Sequence, residues 1–347
     1  MTSAFQNLPV IDVSRLYSSE LSDRQSVAGQ MGAAARDSGF FYITGHPISR
    51  DVRTALLDAT KAYFDAPLET KMAHYIGNST NHSGYVPPGE ETFYGQKPDQ
   101  KEAFDIPLDV PADDPDVLDG KTPLLGPVQW PDDQRFRDAA ATYYVEVSQL
   151  AEKLFAGFAL ALDLPENWFE AHLKKPCSQL RAIHYPFNPN APADLPGIGA
   201  HTDYECFTIL LPTAPGLEVM NGAGEWIDAP PIEDGFVINI GDMLEAWTNG
   251  TFAATSHRVR KVQEERYSFP YFATCDYHTV VAPLPQFVSE ERPAKYTPIV
   301  SGEHLLAQTA QTFTYLKNKV ADGTFKMPQS SLALSSFGQE ARVRQAV

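Results

Sequence analysis

The stretch GAHTDYECFTILL, residues 199–211, carries a polar pair at the start of a run of β-branched and aromatic residues. The run predicts a strand, with His201 and Asp203 two positions apart along it. Because side chains alternate between the two faces of a strand, both would project from the same face. An imidazole and a carboxylate on one face can occupy two adjacent positions of a metal ion.

A third ligand has to come from a neighbouring strand, and the stretch ATSHRVRKV supplies a candidate. Its histidine, His257, begins another β-type run 54 positions after Asp203. Two histidines and one carboxylate on one side of an iron ion leave three positions open for a co-substrate and dioxygen. On its own the H-x-D pattern occurs by chance, and a lone histidine is more often structural than a ligand.

A second polar pair follows in the stretch ERYSFPYF. Arg266 and Ser268 are again two positions apart, so they also share a face of the predicted strand. A buried guanidinium beside a hydroxyl suits a bound carboxylate, which arginine can hold with two hydrogen bonds. The competing interpretation is that Arg266 pairs with a nearby Asp or Glu at the surface.

The surrounding chain indicates a mixed α/β protein with a β-rich second half. After Cys177, short runs of β-branched and aromatic residues alternate with turn residues, which is typical of an antiparallel sandwich or barrel. Residues 74–132 are rich in Pro, Gly and Asp and predict a long, partly ordered connection that can carry functional residues. Strands are predicted at 8–13 and 39–45, and helices at 22–38, 50–65, 133–162 and 301–320.

Composition restricts the partners and the compartment. The 27 basic against 44 acidic residues give a formal net charge of -17, which disfavours nucleic-acid binding. No run of apolar residues is long enough for an ordinary membrane-spanning helix, and the start of the chain lacks a secretory signal. Three widely spaced cysteines are typical of reduced thiols, so we expect a cytoplasmic protein. The oligomeric state stays open.

An ordered series of motifs resembles the isopenicillin N synthase-like group of 2-oxoglutarate/Fe(II) oxygenases. The series is LPVIDVSRL, DSGFFYITGHPI, YFDAPLETK, GPVQWP, IGAHTDY, GLEVMNGAGEWIDAPP, FVINIGDMLEAWTNG, TSHRV and ERYSFPYF. The resemblance implies a double-stranded β-helix (distorted jelly-roll) core flanked by helices, with the metal at its mouth. It implies an N-terminal α/β region over 1–130 and, over 131–347, a helical spine, the core and a C-terminal helix, the whole forming one compact unit.

The resemblance also assigns residues, position by position. His201, Asp203 and His257 match the Fe(II) ligands of the family. Arg266 and Ser268 match the pair that binds the distal carboxylate of 2-oxoglutarate.

A further element of the family, N-x-Y, supports the same carboxylate. Tyr185 in RAIHYP matches its tyrosine, but Ile183 stands where the family has asparagine. This departure weakens the prediction of an ordinary 2-oxoglutarate pocket without removing it.

Tyr85 and Phe272 fall where this family often lines its substrate pocket, and His82, in the loop-rich region, is a third residue that could reach the substrate. For Tyr85 and Phe272 the alternative is plain core packing, and for His82 it is exposure to solvent. We expect a small organic substrate, oxidised with O2 and 2-oxoglutarate by hydroxylation, desaturation or cyclisation, with release of succinate and CO2.

Two other functions stay open at this point. An oxidase of the isopenicillin N synthase type also keeps the R-x-S pair but uses no 2-oxoglutarate. The arginine with which that enzyme binds its tripeptide aligns with His82, which argues against the penicillin-forming substrate. A non-catalytic binding scaffold is the second alternative, although such a scaffold has no need of three spaced metal ligands.

Overall fold

A computed structural model of the chain describes residues 3–92, 99–190, 192 and 195–328. The helices of this part are α1 (Leu21–Asp37), α2 (Arg50–Phe64), α3 (Leu68–Met72), α4 (Pro115–Leu118), α5 (Gln134–Ala161), α6 (Asp242–Trp247), α7 (Ser301–Thr312) and α8 (Thr314–Ala321). The first strands are β1 (Val10–Asp12), β2 (Phe40–Thr44), β3 (Gly84–Val86), β4 (Glu102–Pro107), β5 (Gln179–Tyr185), β6 (Ile198–His201) and β7 (Phe207–Pro212). They are followed by β8 (Leu217–Met220), β9 (Trp226–Asp228), β10 (Phe236–Ile240), β11 (His257–Val259), β12 (Arg266–Ala273), β13 (Val280–Val281) and β14 (Ile299–Val300).

Two sheets form the β core. The large sheet has eight strands in the order β1-β2-β10-β7-β12-β5-β4-β3, and the small sheet has four in the order β6-β11-β8-β9. All strand pairs of both sheets are antiparallel except β1 with β2. Side chains from both sheets line one cavity, so the core is the double-stranded β-helix that the sequence predicted.

The long helix α5 supports the large sheet from outside the cavity. The Asp133 carboxylate caps its first turn by accepting hydrogen bonds from the backbone N–H groups of Arg135 and Phe136. Its apolar side chains recur every three to four residues, and those on the buried face pack against α1, α2 and β12. The helix predicted over 133–162 is therefore confirmed, as are the strands and helices predicted before residue 66.

Three predictions about secondary structure were wrong. The run 199–211 is not one strand, because β6 ends at His201 and β7 begins at Phe207, so Asp203 lies in the connection between two sheets. The segment 74–132 is not merely a connection, because it contains β3 and β4, and all six residues of β4 are buried. A strand buried on both faces shows no alternation of polar and apolar residues, which is the signal the prediction relied on. The single helix predicted over 301–320 is two helices, separated at Phe313, where the backbone is extended and bridges to Glu91.

The large sheet joins the two regions that the sequence distinguished. It takes β1 to β4 from residues 1–130 and β5, β7, β10 and β12 from residues 131–347. Hydrogen bonds from β2 to β10 and from β4 to β5 cross that boundary, which supports the prediction of one unit. No described helix combines the length and the apolar character that a membrane crossing needs.

A polar cluster on the face of the large sheet that points away from the cavity ties β4 to β5. The Glu102 carboxylate accepts hydrogen bonds from Lys71 Nζ at 2.7 Å, Tyr85 Oη at 2.6 Å and His184 Nδ1 at 2.8 Å. The other ring nitrogen of His184 contacts the Glu265 carboxylate. Burial by itself lowers the pKa of His184, but the two carboxylates outweigh it and raise that pKa.

The cluster predicts a pH-dependent stability. The folded-state pKa of His184 lies above its unfolded value, so its stabilisation is fully present below that unfolded value and is lost as the pH rises through the raised pKa. We expect His184→Gln to lower the free energy of unfolding by about 1–3 kcal/mol at about pH 5.5 and by less at about pH 9. Urea unfolding at both pH values measures this, with the exposed His278→Gln as control. An equal loss at both pH values would contradict the assignment.

Candidate metal centre and its cavity

Strand pairing brings the three predicted metal ligands together. His201 is the last residue of β6 and His257 the first of β11, and the two are directly paired across the small sheet. Asp203 follows β6, and its Oδ1 lies 3.4 Å from Nε2 of each histidine. The three potential ligand atoms all lie within 4.8 Å of one another. In the described part of the chain this is the one group of three or more such residues.

Backbone carbonyls orient both imidazoles. His201 Nδ1 lies 2.8 Å from the carbonyl oxygen of Gly199, and His257 Nδ1 lies 3.2 Å from that of Thr255. A carbonyl can only accept, so each Nδ1 carries the proton and donates it. In the neutral imidazole each Nε2 therefore keeps its lone pair and faces Asp203, which is the arrangement that metal-binding histidines adopt.

Two polar side chains of the large sheet hold the Asp203 carboxylate. Its Oδ2 accepts hydrogen bonds from Asn239 Nδ2 at 2.7 Å and from the Thr208 hydroxyl. Oδ1 is thereby turned towards the two histidines. Burial alone would raise the pKa of Asp203, but the facing imidazoles of His257 and His201 hold it well below its usual range. Asp203 is therefore an ionised carboxylate at neutral pH.

This donor set suits Fe(II). Two neutral imidazoles and one carboxylate on one side of a metal ion form the ligand set of non-haem Fe(II) oxygenases, and the other side stays accessible. Here that other side faces a cavity between the two sheets. Burial and the neighbouring His257 ring lower the pKa of His201, which keeps its imidazole neutral and able to bind a metal. Burial also acts to lower the pKa of His257, but the Asp203 carboxylate outweighs it and raises that pKa, so a metal ion that binds here displaces a proton from His257.

Arg266 lies in the wall of the same cavity, and its surroundings exclude the surface ion pair considered above. The residue is 1% exposed, and its guanidinium lies 4.6 Å from the centre of the Tyr185 ring. Its Nε donates to the carbonyl oxygen of Ala214 at 3.1 Å. Within the described residues Nη1 has no hydrogen-bond partner, and no carboxylate forms an ion pair with the guanidinium. The cavity wall thus presents a buried cation that lacks its anion.

The other predicted residues of this region lie beside Arg266. Tyr185 is paired with Arg266, and Ser268 with Ile183, across β5 and β12. All four side chains line the cavity. Ile183 contributes an apolar wall where the family has an amide, so that no hydrogen bond to a co-substrate can come from this position.

The three predicted substrate residues have different environments. Phe272 lines the cavity of the metal centre. His82 lines a smaller neighbouring cavity, and its Nε2 lies 3.9 Å from Asp105 Oδ2. Tyr85 does not line either cavity, because its ring packs in the core on Tyr63 and its hydroxyl donates to Glu102. For Tyr85 the structure therefore corrects the substrate-binding prediction in favour of core packing.

Four charged residues of the cavity wall were not predicted from the sequence: Glu91, Asp99, Lys101 and Arg181. Arg181 lies on β5 four positions before Tyr185, so alternation along that strand could have placed both on the cavity face. Asn239 was also missed, although a single amide within the apolar strand FVINI is a signal for a buried hydrogen bond.

Comparison with known proteins agrees with this geometry. Residues 176–274 match the family described as the 2OG-Fe(II) oxygenase superfamily, and residues 8–133 match the N-terminal region of the non-haem dioxygenases in morphine synthesis. The chain belongs to the 2-oxoglutarate/Fe(II) oxygenase superfamily. It is accordingly a non-haem Fe(II), 2-oxoglutarate-dependent dioxygenase, and neither the oxidase without 2-oxoglutarate nor the non-catalytic scaffold is supported.

Relatives of this superfamily cover most of the chain. The 2-oxoglutarate-Fe(II) type oxidoreductase hxnY of Emericella nidulans is 34% identical over 84% of this chain and 86% of its own length. A homoarginine-6-hydroxylase of Oryza sativa subsp. japonica is 34% identical over 90% of this chain and 99% of its own. The crystal structure of a full-length Neurospora crassa protein in complex with alpha-KG and thymine aligns with a TM-score of 0.73 at 25% identity, covering 92% of this chain and 97% of that one.

The support of Asp203 by Asn239 is directly testable. In Asn239→Ala the Oδ2 atom of Asp203 loses one of its two hydrogen bonds, and the carboxylate becomes free to turn. We expect the affinity for Fe(II) to fall by about 10- to 100-fold, as is typical when a ligand loses its supporting contact. Anaerobic titration with Fe(II) measures the affinity, and the exposed Asn7→Ala is the control. An unchanged affinity would show that Thr208 alone holds Asp203.

Proposed function

We propose that His201, Asp203 and His257 bind the Fe(II) and that Arg266 binds the distal carboxylate of 2-oxoglutarate. The observation that carries this proposal is the buried Arg266 guanidinium, which has no anionic partner among the described residues and lies in the wall of the cavity that the metal ligands share. Bound Fe(II) with 2-oxoglutarate and O2 supplies the oxidising chemistry, in which 2-oxoglutarate becomes succinate and CO2 and the substrate is oxidised.

The role of Arg266 follows from the cost of burying a charge. A buried cation is stable in a protein when an anion and hydrogen bonds compensate for the lost water. In this cavity the hydrogen bond to Ala214 uses Nε and leaves Nη1 available. A carboxylate can bind a guanidinium with two parallel hydrogen bonds. The Ser268 hydroxyl and the Tyr185 side chain lie next to the same position and support its orientation.

Apolar side chains complete the wall between Arg266 and the metal ligands. They are Ile183, Ile198, Leu210, Leu217 and Val259. These groups exclude water from the co-substrate and strengthen the electrostatic interactions inside the cavity. They also limit the polar contacts of the co-substrate to its two ends. The apolar Ile183 is compatible with this arrangement, because the Arg266 side chain supplies the charge.

The substrate is a small organic molecule, and we propose that it binds beside Phe272. Phe272 lies on β12 six positions beyond Arg266 and on the same face, so the two side chains mark opposite ends of that strand. Two relatives support a nitrogen-containing substrate, since one is named as a homoarginine hydroxylase and another was crystallised with thymine.

A cytoplasmic location and the lack of nucleic-acid binding stay predictions, and the oligomeric state stays open.

Substitution of Arg266 tests the co-substrate site. Arg266→Met removes the charge and keeps the apolar stem, and a hydrogen bond to a charged group contributes about 1.5–3 kcal/mol. We therefore expect the Kd of 2-oxoglutarate to rise by roughly 10- to 150-fold while Fe(II) still binds. Isothermal titration under anaerobic conditions measures both constants.

Two further variants serve as controls for this experiment. Arg266→Lys keeps the positive charge but cannot form two parallel hydrogen bonds to a carboxylate. We therefore expect its Kd for 2-oxoglutarate to lie between those of the unmodified protein and Arg266→Met. Arg135→Met removes an exposed arginine of α5 and should bind 2-oxoglutarate as the unmodified protein does. If Arg266→Met binds 2-oxoglutarate with unchanged affinity, another residue holds the distal carboxylate and the proposal is wrong.

A further inference from the structure

We propose that Asp99 and Lys101 anchor the substrate and that the substrate is a small neutral amide, in which an N–H group and a C=O group are neighbours. Such groups occur in lactams, ureides and pyrimidine rings. Asp99 would accept the N–H, and Lys101 Nζ would donate to the C=O. This inference rests on the proposed function, because it concerns the substrate of the same metal centre.

Asp99 is a buried carboxyl group with one oxygen available to a ligand. It is 1% exposed, and its side chain lines the cavity of the metal centre. Oδ1 accepts the backbone N–H of Gly199 at 3.1 Å. Oδ2 is buried and receives no hydrogen bond from the residues that the structure describes. A buried acceptor without a donor is costly, so a ligand that supplies a donor here is stabilised.

Two hydrogen bonds through Gly199 connect Asp99 to the metal centre. Gly199 donates its N–H to Asp99 and accepts the Nδ1 proton of His201 on its carbonyl oxygen. One residue, Gly199, therefore links Asp99 to the metal ligand His201. A group that is bound by Asp99 Oδ2 lies in the same cavity as His201, where a neighbouring carbon atom of the substrate can be oxidised.

Lys101 supplies the complementary donor. It is 2% exposed, lines the same cavity, and its Nζ lies 3.8 Å from Asp99 Oδ2. This distance is too long for a hydrogen bond, so both groups can turn to a ligand placed between them. An acceptor and a donor side by side match an N–H and a C=O that are side by side in the ligand.

The other charges of the surrounding cluster are paired with one another. Arg181 donates two hydrogen bonds to Asp105, at 2.5 and 2.7 Å, and a third to Glu91 at 2.9 Å. Lys101 forms an ion pair with the other oxygen of Glu91. Arg181 and Lys101 are thus matched by Glu91 and Asp105, so these four side chains add no net charge beside Asp99. The Oδ2 atom of Asp99 therefore needs a hydrogen-bond donor, which a neutral N–H group supplies.

A panel of probe compounds tests the substrate class. Thymine, uracil and 2-pyrrolidinone carry an N–H next to a C=O, whereas 1,3-dimethyluracil and N-methyl-2-pyrrolidinone have the same rings without the N–H. L-Homoarginine and L-arginine represent cations, and benzoate represents acids without nitrogen. Consumption of 2-oxoglutarate above the level without probe measures productive binding. We expect at least one N–H compound to stimulate consumption and its methylated partner to fail.

The two anchor residues are then replaced one at a time. Asp99→Asn exchanges an acceptor for a donor, and Lys101→Met removes the donor with little change in length. We expect each to lower kcat/KM for the stimulating N–H compound by about tenfold or more. Asp113→Asn, an exposed aspartate on the loop before α4, is the matched control and should leave kcat/KM unchanged.

Three outcomes would overturn the inference. The first is stimulation only by the cations or by benzoate, the second is equal stimulation by the methylated compounds, and the third is no stimulation by any probe. A kcat/KM that does not change in Asp99→Asn would also overturn it. If Asp99→Asn lowers the Fe(II) affinity and leaves the KM of the probe as before, Asp99 acts only through Gly199 and His201, and the inference is again wrong.

Failure of the proposed function is recognised separately. Binding of 2-oxoglutarate to the Fe(II)-loaded protein, measured without oxygen, does not depend on the substrate. If the unmodified protein does not bind 2-oxoglutarate, the proposed function fails. If it binds 2-oxoglutarate normally and the panel shows one of the contradicting patterns, only the assignment of Asp99 and Lys101 fails.

Discussion

The antiparallel pairing of β6 with β11 is the constraint on which the metal centre depends. It sets His201 directly opposite His257, so that side chains 56 positions apart in the chain become neighbours. The register of β6 against β11 shifts between His257 and Val259, so the regular pairing of these two strands is limited to the two histidines. Asp203 lies two positions beyond His201, the last residue of β6, and can therefore reach both imidazoles. The large sheet fixes its carboxylate through Asn239.

Burial gives each polar group of the cavity a defined role. The metal ligands, the Arg266 guanidinium and the Asp99 carboxyl group all lie in the walls between the two sheets, with apolar side chains separating them. In such surroundings a charge interacts strongly with a ligand of opposite sign, and an unmatched polar atom is costly. The unmatched atoms, Arg266 Nη1 and Asp99 Oδ2, therefore mark where the co-substrate and the substrate would bind.

The sequence could predict the parts of the site that lie on regular strands. Alternation kept Arg266 and Ser268 on the cavity face, and the ordered motifs indicated the fold. Asp203 lies beyond the end of β6, so its place beside His201 comes from the connection after that strand and not from alternation. It could not identify β4, because a strand that is buried on both faces lacks a polar period. The charged cluster around Arg181 was missed for a related reason, since its ion pairs join residues up to 90 positions apart. Such long-range pairs leave no local pattern in the sequence.

A crystal structure with Mn(II) and 2-oxoglutarate, grown without oxygen, tests the central claim most directly. The account predicts the metal bound by Nε2 of His201, Oδ1 of Asp203 and Nε2 of His257, with the far carboxylate of 2-oxoglutarate on the Arg266 guanidinium. A metal held by other residues, or a 2-oxoglutarate whose far carboxylate does not contact Arg266, would contradict it.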